Sequence, residues 1–127
     1  DVGSRLSIYK KLAATDDIVA LEHVIDDIND RFGKLPEPAR ALIATHRLRL
    51  VCRDLGIKRI DAADSAIVFI FNPKPKFEPI NLIRLLQTRR DMRMMGPEKM
   101  RLTVSSADLD SRVRAIRTIT NALGGAR

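Results

Sequence analysis

Tryptophan is absent from these 127 residues, and aromatics amount to only 4 %, one Tyr and four Phe. The core must therefore be assembled from Leu, Ile, Val and Ala. The single cysteine, Cys52, excludes an internal disulfide and a cysteine-based zinc cluster. Nothing in it argues against a reducing compartment, and the cytoplasm is the expected location. No run of about eighteen apolar residues occurs, so no helix is expected to span a membrane. No charged–apolar–small opening marks a secretory leader. Gly33, Gly56, Gly96 and Gly124-Gly125 read as isolated stops, and none belongs to a phosphate-binding glycine loop ending in Lys-Ser or Lys-Thr.

What is present is a fair share of apolar residues, 45 %, and many charges, 31 %. The length suits one domain, residues 1–127, able to bury about two-thirds of its unfolded surface. A chain that opens on Asp1 rather than Met is expected to be a fragment of a larger multidomain protein. Twenty-three Lys and Arg against sixteen Asp and Glu give a net charge of +7. The charge is uneven. Residues 1–37 hold five basic and eight acidic groups, whereas residues 38–127 hold eighteen and eight. The window Asp16–Asp30 holds six acids and no Lys or Arg, and such an island would repel phosphates.

Periodicity supplies the elements. Leu6, Tyr9, Leu12 and Ala13 stand at helical spacing within residues 4–14. Thr15 with Asp16 and Asp17 reads as the N-cap of a second helix. There Ile18, Leu21, Val24, Ile25, Ile28 and Phe32 form an apolar stripe, with Glu22, Asp26, Asp27 and Asp30 opposite. Gly33 and Leu35-Pro36-Glu37-Pro38 end it. A third helix is expected over 38–55, its apolar residues in two stripes and its polar side carrying Arg40, Arg47, Arg49 and Arg53. Residues 57–60 read as a short strand. Ala66-Ile67-Val68-Phe69-Ile70-Phe71 reads as a buried strand, being β-branched and aromatic. Pro79 opens a helix with Ile80, Leu82, Ile83, Leu85 and Leu86. Residues 92–95 and 100–104 read as a hairpin around Gly96-Pro97. Ser105, Ser106 and Asp108 open a last helix with Leu109, Val113, Ile116, Thr120 and Leu123 on one face. The order of helices and strands predicts an α+β fold: N-terminal helices, then a small, mainly antiparallel four-stranded sheet with two further helices.

Catalytic constellations are not evident. His23 and His46 fall on different helices with no ligand at metal spacing, so neither a metal site nor a cofactor is expected. His46 reads as a satisfied structural residue and Cys52 as a buried, inert thiol. The acidic pairs lie on a wet helix face, where nothing would raise a carboxyl pKa for acid–base work. Three features remain. Arg89, Arg90 and Arg93, with Lys99 and Arg101, form a basic patch that is either a solvated surface or a phosphate contact; no aromatics interleave for base stacking. Met92, Met94, Met95 and Met100 gather at the hairpin, as core filling or as an adaptable groove. The acidic face of the second helix is the third, and arginine-bearing partners bind such faces well.

Three stretches now invite comparison. Arg5-Leu6-Ser7-Ile8-Tyr9-Lys10-Lys11-Leu12-Ala13, Asp30-Arg31-Phe32-Gly33-Lys34-Leu35-Pro36-Glu37-Pro38-Ala39 and Leu55-Gly56-Ile57-Lys58-Arg59-Ile60 follow one another. Together they resemble the C-terminal domain of the bacterial transcription-repair coupling factors, with Arg84-Leu85-Leu86-Gln87 and Gly96-Pro97 in step. The resemblance covers nearly the whole chain. It implies a parent that is an ATP-hydrolysing superfamily 2 DNA translocase acting on stalled RNA polymerase and recruiting excision repair through UvrA. Its ATPase, polymerase-binding and UvrA-binding modules would lie outside this sequence. The resemblance further implies a regulatory, autoinhibitory domain that masks the UvrA-binding module of the same parent chain. Its contact surface would include Asp27 and Asp30, with Glu22 and Asp26 as neighbours. Asp27 stands where the family often has Glu, which keeps the charge and shortens the reach. The alternative from composition is a basic nucleic-acid-binding module touching phosphates through Arg89, Arg90 and Arg93.

Overall fold

The computed structural model describes residues 2–124, and the side chains of residues 7–124. The side chain of Leu6 and the stop at Gly125 lie outside the described residues. The chain forms α1 (Val2–Ala13), α2 (Ile18–Phe32), α3 (Glu37–Leu55), β1 (Ile57–Ala62), β2 (Ala66–Phe71), α4 (Pro79–Thr88), β3 (Met92–Met94), β4 (Lys99–Thr103) and α5 (Leu109–Leu123). This is the α+β order expected. The chain divides into two compact units, with the boundary inside α3 between Leu50 and Val51.

In the first unit Leu12, Leu21, Ile28, Leu35, Ala39, Ile43 and Leu50 are buried together, and Ile8, Tyr9, Ile18, Val24, Ile25 and Leu42 pack around them. Helix α2 starts later than expected. Its N-cap is Asp17, not Thr15: the Asp17 carboxylate accepts from the Ala20 N–H at 2.7 Å. Thr15 is occupied elsewhere. Its hydroxyl donates to the Leu12 carbonyl at 2.7 Å, and His46 Nε2 reaches the Thr15 carbonyl at 2.9 Å. A carbonyl oxygen carries no proton, so Nε2 is the protonated nitrogen of this buried imidazole. His46 thereby fastens α3 to the α1–α2 turn, in keeping with a satisfied structural role. Two residues leave their expected stripes. Ala13 is exposed, and Phe32 is 58 % exposed. Phe32 is the last residue of α2; the chain turns at Gly33, and Leu35 takes the buried place instead.

The second unit is built on a four-stranded antiparallel sheet in the order β1-β2-β4-β3. β2 is central and pairs on both sides, which is why its six residues could be so apolar. Ile67 faces Leu102 and Phe69 faces Met100 across β2–β4, while Met92 faces Leu102 and Met94 faces Met100 across β3–β4. Of the four methionines, Met92 and Met100 are buried, Met94 is half-buried and Met95 is 47 % exposed. The cluster is mostly core filling. β1 runs to Ala62, two residues past expectation, because its backbone stays paired with β2 through Ala62 opposite Ile67. A β-bulge lies between Ile57 and Arg59.

Helix α5 starts at Leu109 rather than Ser105, because Asp108 is its N-cap: the carboxylate accepts from the Ser111 N–H at 2.8 Å. Val113, Ile116, Ile119, Thr120 and Leu123 form its buried face. Leu109 is 53 % exposed, since it opens the helix one turn before the buried residues that begin at Val113. Ser106 is buried and donates from its hydroxyl to the Ala63 carbonyl at 3.1 Å, so it anchors a loop rather than capping. Asn81 ties α4 to α5 through the Leu123 carbonyl at 2.9 Å. Phe71 and Phe77 stack edge-on with centroids 5.4 Å apart.

Gly56, between α3 and β1, has φ +81°, and a Cβ there would lie 2.9 Å from the Pro75 Cα. The 72–76 loop is held against it by Asn72 N–H to the Gly56 carbonyl (2.9 Å) and Lys76 N–H to the Leu55 carbonyl (3.0 Å). Both the backbone conformation and the space thus demand glycine. Gly56→Ala is expected to cost at least about 2 kcal/mol, left-handed strain and backbone displacement combined. A urea midpoint unchanged from the parent chain would refute this account.

Candidate functional site

Helix α2 presents the acidic face. Leu21 and Ile28 are buried beneath it. On the wet side, helical spacing aligns Val19, His23, Asp26, Asp27 and Asp30. Val19 is 67 % exposed, and His23, Asp26 and Asp30 are exposed as well. The four expected contact residues are not equivalent. Glu22 accepts from Arg47 Nη2 of α3 at 2.5 Å. Asp27 lies 3.4 Å from Arg31, one turn on, with both side chains largely in solvent. Asp26 and Asp30 have no ion-pair partner within 4 Å among the described residues. The Glu22–Arg47 pair was not legible in the sequence: its members are 25 positions apart, and only the packing of α2 on α3 brings them together.

The placement of Asp30 is electrostatically costly. The C-terminal end of a helix carries partial negative charge on its free carbonyls. Asp30 stands in the last turn of α2, and Asp26 and Asp27 one turn earlier; Arg31 is the basic residue of that last turn. The carboxylates that suit a helix belong at its start, as Asp17 does. Asp27 gains an i,i+4 pair with Arg31, but helix stability gives no reason for Asp30 to be where it is.

Between the C-terminal half of α2, the turn at Gly33–Leu35 and α3 lies an open cleft of about 560 Å³, with Ile25, Leu35 and Ile43 among its walls and Lys34, Arg40 and Arg47 at its polar side. Arg40 is engaged by Glu37 at 2.6 Å. Arg47 Nε is buried with no hydrogen-bond partner.

The three residues of the expected basic trio have different surroundings. Arg89 is clamped by Asp91, Nε to Oδ1 at 2.9 Å and Nη2 to Oδ2 at 2.8 Å. This bidentate hydrogen bond holds the Asp91 carboxyl below its usual value and raises the Arg89 guanidinium. Arg90 is exposed in the loop before β3. Arg93 lies on β3 directly opposite Arg101 of β4. That opposition has a sequence signal: the basic residues Lys99 and Arg101 alternate with Met100 and Leu102, and Arg93 sits between Met92 and Met94.

Groups for chemistry are sparse. Cys52 is buried, and burial pushes its thiol up to about 11, so it stays protonated at neutral pH. Among the described residues, no three His, Cys, Asp or Glu side chains gather as metal ligands. Among them too, no helix is long and apolar enough to cross a membrane.

Comparison with known proteins agrees with this architecture. The TRCF domain family matches residues 1–82, which is more than half of the chain. The chain belongs to the TRCF domain family. Relatives of this TRCF domain include the transcription-repair-coupling factor of Escherichia coli K12, 34 % identical over 118 residues, covering 92 % of this chain and 10 % of that protein. The Haemophilus influenzae factor is 33 % identical over 94 % of this chain and 11 % of its own length. The Mycobacterium tuberculosis factor is 48 % identical over 64 residues, half of this chain and 5 % of that one. The chain thus spans about a tenth or less of the curated relatives it matches. A crystal structure of the C-terminal domain of a transcription-repair coupling factor shares the fold, with a TM-score of 0.70 at 18 % identity, over 97 % of this chain and 80 % of that one.

Two outcomes are expected of this TRCF domain. The Asp91–Arg89 pair depresses the folded carboxyl below its ordinary 3.8. Its contribution to stability is therefore present above that value and lost as pH falls through the lower folded one. Asp91→Asn should flatten part of the acid limb of a stability-against-pH curve; identical acid limbs would contradict the assignment. Cys52 should resist an aromatic disulfide reagent in the native chain at neutral pH and react at once in denaturant. Rapid native labelling would show that the thiol is neither buried nor raised.

Proposed function

We propose that this chain is a non-catalytic regulatory domain, one piece of a larger transcription-repair coupling factor, and that it works by protein contact. Its acidic α2 face is the contact surface. The partner of matching chemistry is an arginine-bearing module, read as the UvrA-binding module of the same parent. Held there, the domain masks UvrA binding until the parent, an ATP-driven translocase, engages stalled RNA polymerase and DNA.

The observation that carries this reading is the group Asp26, Asp27 and Asp30 in the C-terminal half of α2. Asp30 sits in the last turn, where the helix dipole opposes it; Asp26 and Asp30 are exposed and lack an ion-pair partner among the described residues. Membership of the TRCF family supports the repair context. Glu22 enters the reading differently. Bound to Arg47, it borders the surface and would have to exchange partners to join it. Exposed pairs contribute about 0.2–1 kcal/mol each, so two or three make a contact that is releasable, and the tether of a shared chain supplies the effective concentration it needs.

The isolated chain should bind the UvrA-binding module weakly by titration calorimetry, less so at higher salt. In the full-length parent, Asp27→Lys with Asp30→Lys should raise UvrA affinity by roughly the two lost pairs and their reversed repulsion, about tenfold. UvrA affinity that does not move after this double reversal would refute the masking role.

A further inference from the structure

Strand register fixes which residues of the sheet face away from the core. With Ile67, Phe69, Met100, Leu102 and Met92 inward, the residues between them turn outward. Across β3–β4–β2–β1 one row reads Arg93, Arg101, Val68, Asp61, and the next reads Lys99, Ile70, Arg59 along β4–β2–β1. Arg59 is neutralised by Asp61 at 2.8 Å. Arg93, Lys99 and Arg101 have no ion-pair partner within 4 Å among the described residues. Neighbouring strands are about 4.8 Å apart and alternate residues of a strand about 6.8 Å, so the three cations fall within about 10 Å of one another. Like charges directly opposite each other, as Arg93 and Arg101 are, work against the sheet. The positions around them hold Val68, Ile70 and Thr103; the neighbouring acid, Asp91, two residues before Arg93, is already bound by Arg89.

We propose that this open sheet face binds the phosphate backbone of a nucleic-acid duplex. The inference is independent of the acidic face of α2. Charge complementarity names the partner: a duplex carries one negative charge per about 1.7 Å of its axis and releases counterions when cations replace them. A single strand is the poorer fit, because no aromatic side chain lies on this face; Phe69 and Phe71 are buried on the other side. An acidic protein is poorer as well. The only apolar residues among the cations, Val68 and Ile70, are already half-buried by their neighbours and offer no anchor for an interface core. Contact would be with phosphates alone and hence indifferent to base sequence. The surface differs from the trio Arg89, Arg90 and Arg93: Arg89 is spent on Asp91, and Lys99 and Arg101 take its place.

The test is fluorescence anisotropy of the 127-residue chain with a labelled DNA duplex of about 20 base pairs, from about 50 to 200 mM salt. Three phosphate contacts predict a log–log salt slope near −2.7, an affinity loss of about forty-fold over that range. Arg93→Gln with Arg101→Gln should flatten the slope by about 1.8 and leave the thermal midpoint equal or higher, since a like-charge opposition is removed. Lys99→Gln alone, at an exposed position, should flatten it by about 0.9 and serves if the double variant misfolds. Arg114→Gln with Arg117→Gln, on the exposed side of α5, should leave the slope unchanged. No binding at about 50 mM salt, a slope insensitive to Arg93, Lys99 and Arg101, or displacement of the duplex by polyglutamate at equal charge would each overturn the proposal.

Discussion

Register in the sheet is the constraint on which the second unit rests. β2 can carry Ala-Ile-Val-Phe-Ile-Phe because its backbone groups pair with β1 on one side and β4 on the other. A buried amide without a partner would cost about 1–3 kcal/mol, so a strand of this composition is stable only between two neighbours. Once β2 is paired, everything else in the unit follows in step. Ile67 and Phe69 point into the core, and so must Leu102 and Met100 opposite them. Met92 and Met94 follow through β4. The same pairing sends Arg93, Lys99 and Arg101 outward. A slip of one residue would exchange the two sets and bury three cations. The basic face is thus a by-product of the register that builds the core, and no local feature of β3 or β4 could alter one without the other.

Much of this was legible in the chain itself. β2 announced its own bounds, since a run of β-branched and aromatic residues between Ser65 and Asn72-Pro73 has no other stable use. Pro79 marked the start of α4, and the stripe of α2 gave its buried residues apart from Phe32. The misjudged details share a cause. Thr15 and Ser106 are good caps by type, yet each is claimed by a partner distant in sequence, His46 in one case and Ala63 in the other. Asp17 and Asp108 cap instead because nothing competes for them. Leu109 and Phe32 belong to apolar stripes by phase, but each stands at a helix end where the neighbouring surface has run out.

The charged surfaces were visible only as composition. An island of acid and an excess of base can be counted, but pairing cannot. That Glu22 is held by Arg47, Asp27 by Arg31 and Arg89 by Asp91 comes from helix packing and loop geometry. These pairs divide the formal charges into satisfied and free. Among the described residues outside these pairs are Asp26 and Asp30 in the first unit and Arg93, Lys99 and Arg101 in the second. Family membership placed the chain among the TRCF domains, and neither surface could be told from the family alone.

The way the sheet stops at its two borders has a separate consequence. β3 is three residues long, and β1 is interrupted by a bulge and studded with Lys58, Arg59 and Asp61. A border strand of ordinary length and neutral composition would offer its unpaired amides to the next molecule, and such templates propagate into fibrils. Here one border is too short to template and the other is twisted and charged. A domain with a strand as apolar as β2 thus has borders that blunt edge-to-edge pairing of its sheet.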